Sequence, residues 1–110
     1  MKVLNYTPHK VIVMKKDRTV IKSYPSDGIA RVSSSSSVIG DIDGIELRKT
    51  GFGEVTGLPE PEKDTYLIVS SLVRSALPDR KDLISPDTSP TGAIRDEKTN
   101  FIVGVTGFQQ

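Results

Sequence analysis

The chain has 110 residues, with 15 Lys and Arg against 14 Asp and Glu and no cysteine. That length is one domain's worth, 1–110, and the near-neutral charge argues against a duplex nucleic-acid binder. The missing cysteine excludes disulfide and thiolate chemistry, and no apolar run is long enough for a membrane span, so a cytoplasmic location is expected.

Nine glycines and seven prolines break the chain into short segments, and the segments are rich in Val, Ile and Thr, which suits strands. Lys2 to Tyr6 reads as a strand. Thr7-Pro8-His9 is a corner, because Pro8 fixes its own φ and pushes Thr7 towards extended geometry. Lys10 to Met14 and Thr19 to Tyr24 pair as a hairpin across Lys16-Asp17-Arg18. Pro25-Ser26-Asp27-Gly28 is a turn, and Ile29 to Val32 is a strand. The run Ser33 to Ser37 reads as a flexible connection. Val38 to Ile42 and Ile45 to Lys49 form the clearest hairpin, with Asp43-Gly44 suited to a type I′ turn.

Gly51 to Gly57 continues the strand pattern with bends, and Leu58 to Glu62 is an extended loop. Tyr66 to Val69 is the best candidate for a central buried strand. One helix follows, capped by Ser70 or Ser71, with Leu72, Val73, Ala76 and Leu77 on its apolar face and Pro78 as its stop. Ile84 to Gly92 reads as a loop. Ala93 to Asp96 and Asn100 to Phe108 make a last hairpin. The fold expected is mainly β with one short α-helix, a compact antiparallel hairpin sheet or barrel-like single domain.

Few residues suggest chemistry. His9 is the only histidine; it belongs to the residue type that titrates near neutrality, and ligand contact and a plain corner role are both open. No G-x-S-x-G elbow places a serine nucleophile, and Gly51 to Gly57 lacks the ending of a phosphate loop. No metal site and no cofactor are expected. The helix region is the best place for an anion. Ser70 and Ser71 sit at its start, Arg74 lies one turn on, and Asp79 and Arg80 follow the break. An exposed Arg80 would be free for a phosphate; the plainer reading pairs it locally with Asp79 and Asp82. Arg95 is a further candidate cation. Lys10, Lys15, Lys16, Arg18 and Lys22 make a basic start that serves equally as edge lysines.

Several stretches together resemble a group of small phage and prophage proteins that open with N-L-T-P-H and carry a V-S-x-L-V, A-x-P-D-R and late R-D-E pattern. They are Asn5-Tyr6-Thr7-Pro8-His9, Pro25 to Val32, Gly53 to Pro59, Tyr66 to Ser70, Ala76-Leu77-Pro78-Asp79-Arg80 and Arg95-Asp96-Glu97. Tyr6 departs from the usual Leu. The resemblance implies a viral or prophage origin. By analogy of origin and size it suggests an anti-defence protein that sequesters a cyclic nucleotide or cyclic ADP-ribose-type signal without cleaving it. Thr7, His9, Ser70, Ser71, Arg74, Asp79, Arg80 and Arg95 would then line the ligand site, and a homo-oligomer is expected because so small a β-domain leaves edges to cover. The alternatives are a protein-binding inhibitor of a host defence enzyme, a small hydrolase using His9, and a virion component.

Overall fold

The computed structural model describes residues 1–110. The chain orders as β1 (Lys2–Asn5), β2 (Val11–Met14), β3 (Val20–Tyr24), β4 (Arg31–Ile42), β5 (Ile45–Thr56), β6 (Thr65–Ile68), α1 (Ser71–Ala76), β7 (Leu83–Pro86), β8 (Ala93–Arg95), β9 (Ile102–Val105) and β10 (Phe108–Gln109). It is mainly β with one short helix, as expected, and no sheet closes into a barrel. The strands make a central sheet β1-β6-β7-β10, a second sheet β3-β2-β9-β8 and a separate β4-β5 ribbon.

Three hairpins pair antiparallel as the sequence suggests: β2 with β3, β4 with β5, and β8 with β9. The centre differs. β1 pairs parallel with β6, β6 parallel with β7, and β2 parallel with β9. The unit β6-α1-β7 is therefore a parallel crossover, which a hairpin reading does not contain.

β6 explains why the core sits where it does. Leu67 and Val69 point into a cluster with Ala30, Val73 and Leu83, against which Leu4, Val32, Val55 and Leu77 pack. Ile68 points the other way, into a cluster with Val11 and Val105. Successive strand residues face opposite sides, so a continuous apolar run buries both faces. The helix and the base of the ribbon cover one face, and the second sheet covers the other.

Two expected connections are strands instead. Ser33–Ser37 lies within β4, paired with Gly51, Thr50 and Lys49. Serine has little intrinsic strand preference, so the pairing comes from the partner strand and the turn. Asp43 and Gly44 have φ of 53° and 81°, the two positive values a type I′ turn requires, and this turn propagates the ladder back through the serines. Ile84 to Pro86 is not loop either. Leu83 and Ser85 are buried on one side of β7, and Pro86 stands at the strand's last position. Phe108 pairs with Pro86 in β10 and meets Tyr24 edge-on, with ring centroids 6.2 Å apart.

Candidate functional site

The corner after β1 is organised by Asn5, which has no exposed surface. Its Nδ2 donates to the His9 and Tyr24 carbonyls, both at 2.8 Å. Its Oδ1 accepts from the Thr7 backbone at 2.9 Å. The Thr7 hydroxyl lies 2.7 Å from Asn5 Oδ1 and 2.8 Å from the His9 carbonyl, and its single proton serves one of them at a time. The Asn5 backbone exchanges two further bonds with Asp27, at 3.0 Å to the carboxylate and 2.7 Å from the Asp27 N–H. Every polar atom of the Asn5 amide is thus used. Sequence reasoning missed this residue. The signal was the short side chain before a Thr-Pro corner, the kind that bonds to backbone two residues on.

This arrangement changes the reading of two candidates. Thr7 is buried and its hydroxyl is committed to the corner. His9 takes part through its carbonyl, while its side chain is exposed.

At the helix, Ser70 is the cap: it is extended, with φ −66° and ψ 158°, and its Oγ accepts from Val73 N–H at 3.3 Å. One amide expected to attract an anion is therefore already satisfied. The helix has six residues, too few for an anion site at its start, and Ser71 is simply its exposed first residue. Only Val73 is buried; Leu72, expected on the apolar face, stands 54% exposed because so short a helix touches its neighbours along a narrow stripe.

Arg74 Nε donates to the buried Ser85 hydroxyl at 2.9 Å, which ties the helix to β7. Arg80 grips Asp82 with two nitrogens, at 3.1 and 2.7 Å, and reaches the Pro59 carbonyl at 3.2 Å. Its side chain is only 21% exposed. The free, exposed Arg80 is thereby corrected: the local pairing with Asp82 is the one that forms, and Asp79 stays outside it, exposed to solvent.

Where the helix ends, Arg74, Arg80 and Lys81 line a shallow cleft of about 390 Å³ with Ser75, Leu77, Pro78, Leu83 and Gln110. Three cations and no carboxylate face it. Gln110 Nε2 donates to the Lys81 carbonyl and fixes one wall. The fold thus gathers Arg74 and Arg80, while Thr7, His9, Ser70 and Ser71 lie at the carboxyl ends of β1 and β6. Arg95 is elsewhere. It is exposed on β8, donating to the Asn100 carbonyl at 2.8 Å and accepting at its own carbonyl from Arg18 at 2.7 Å. Lys81 and Gln110 were not singled out from sequence, because the terminal strand that brings Gln110 to the helix end carries no local signal.

Three carboxylates have lowered pKa values, all in turns outside this cleft. Asp17 is held down by hydrogen bonds from Thr19, Asp87 by those from Ser89 and then Gln109, and Asp96 by the Thr99 and Lys98 amides. No helix is long and apolar enough to cross a membrane. Comparison with known proteins returned no match to a family model, a curated protein or a solved structure.

Proposed function

We propose that the protein is a phage-encoded binding protein that sequesters a small anionic nucleotide signal, of the cyclic nucleotide or cyclic ADP-ribose type, without cleaving it. The observation that carries the reading is the cleft lined by Arg74, Arg80 and Lys81 with no facing carboxylate. Asp82 already neutralises Arg80, so Arg74 and Lys81 supply the net positive charge of the cleft, and a phosphate placed there accepts charge-assisted hydrogen bonds from them. The volume falls within the range of small-molecule sites. Arg74 is pre-oriented through Ser85 and Arg80 through Asp82 and Pro59, so little side-chain freedom is lost when an anion arrives. Leu77 and Pro78 give apolar contact beside the charges.

Mass spectrometry of the protein purified from phage-infected cells, after heat release, tests this. An intact nucleotide is expected. Calorimetry with that compound should show roughly tenfold weaker binding in Arg74→Gln and in Lys81→Gln, the scale of one charge-assisted contact. Recovery of a cleaved product would replace the reading with a hydrolase. A broad nucleotide panel without a thermal shift would remove it.

A further inference from the structure

The chain exposes more surface than its mass warrants. A folded 12.0 kDa monomer should show roughly 6,000 Å², whereas this one shows 7,682 Å², an excess of roughly 1,700 Å². Its radius of gyration is 16.5 Å against about 13 Å for a compact chain of this length. The excess lies in the β4-β5 ribbon, whose twelve-residue strands are exposed almost throughout and touch α1 near the base. A two-stranded ribbon standing alone in water is marginal at best.

The ribbon's tip is also the wrong composition for solvent. Ile42 pairs with Ile45 and Gly40 with Leu47, so the three apolar side chains share one face. Ile42 is 59% and Ile45 72% exposed. A Cβ at Gly40 would meet nothing in the chain, which leaves a notch beside Leu47.

What covers this face follows from area and charge. Two copies together carry an excess of roughly 3,400 Å², which falls within the range of roughly 2,000–5,000 Å² that obligate homodimer interfaces bury in total. The tip of the ribbon is acidic. Asp41 and Asp43 stand at the tip, Lys49 lies on the shaft, and Arg31 and Glu54 stand near the base, none in an ion pair, while Glu46 and Arg48 pair with each other at 2.6 Å. Two copies crossing in opposite directions set the acidic tip of one towards Lys49 on the shaft of the other. A net charge of +1 does not oppose association.

We propose that the β4-β5 ribbon is a dimerisation arm, occupied by the ribbon of a second copy about a twofold axis, with Ile42, Ile45 and Leu47 buried against it. The inference goes beyond the ligand reading and is tested without any ligand. Equilibrium sedimentation of the full chain should give twice the 12.0 kDa mass. The paired substitutions Ile45→Asp and Leu47→Asp should raise the dimer dissociation constant on the order of a hundredfold with circular dichroism unchanged. Gly40→Arg, whose Cβ meets no atom of its own chain, should do the same. Hydrogen exchange at 40–47 should slow as concentration rises. A wild-type mass of one chain throughout a dilution series would overturn the proposal and leave the face to a foreign protein. So would variants that stay dimeric, or a dimer whose ribbon amides gain no protection.

Discussion

β6 and the β4-β5 ribbon are both built by strand pairing, yet they are opposites. β6 has four residues and buries three of them, on both faces. Each ribbon strand has twelve residues and buries none. The difference teaches that ladder hydrogen bonds set the shape of this chain, while apolar burial decides where its stability resides. Substitutions can break or sharpen that contrast.

The largest effect should come from Asn5→Leu. It strands the Tyr24 carbonyl and the Thr7 amide, leaving the His9 carbonyl to the Thr7 hydroxyl, at a cost on the order of 3–5 kcal/mol in urea unfolding. A cost below about 1 kcal/mol would mean that water replaces the amide and the corner is not a structural centre.

Next comes a matched pair of leucines. Leu67→Ala in β6 should cost about 2–5 kcal/mol, and Leu47→Ala in the ribbon under about 1, measured at dilutions where the chain is monomeric. Leu67 is 1% exposed and Leu47 43%. Equal costs would erase the distinction between the two regions.

Arg80→Ala should cost about 2 kcal/mol, because Asp82 loses a bidentate partner while only 14% exposed. A double-mutant cycle with Asp82→Asn isolates the coupling, and additive losses would show that the pair contributes nothing of its own. The variant therefore reports on the fold as well as on a ligand, as does Arg74→Gln through Ser85, and Lys81→Gln is the cleaner probe of the cleft.

The smallest effect is in pH. Asp17, Asp87 and Asp96 have pKa values below the ordinary carboxylate value, so they bind fewer protons folded than unfolded. Their contribution is present above the ordinary value and is lost as pH falls through the lowered, folded values. Melting temperature should therefore decline in that acid range. Asp87→Asn should flatten the decline slightly, and an unchanged profile would exclude Asp87 as a source.

Local patterns revealed much of this molecule. Alternation and turn residues mark β1, β2, β3 and the ribbon's tip, and Ser70 with Pro78 brackets the helix. The parallel centre was hidden, because which strand lies beside β1 depends on packing across sixty residues rather than on any neighbour. Ser33–Ser37 was hidden for a related reason: its conformation comes from β5. At the cleft, Arg74 and Arg80 were visible as cations near a helix. Whether Arg80 is free depends on Asp82 and Pro59, and Lys81 meets Gln110 only through tertiary structure.

The parallel pairing of Lys2 with Thr65 has a consequence in time. The ribbon lies between those partners in the chain and closes on itself across Asp43-Gly44, an event on the order of microseconds for a hairpin. β1 has to wait for β6 to be made and delivered, and non-local pairing of that kind folds in milliseconds to seconds. The least buried part of the molecule is thus among the first able to form, with the β2-β3 and β8-β9 hairpins, and the best buried part is the last.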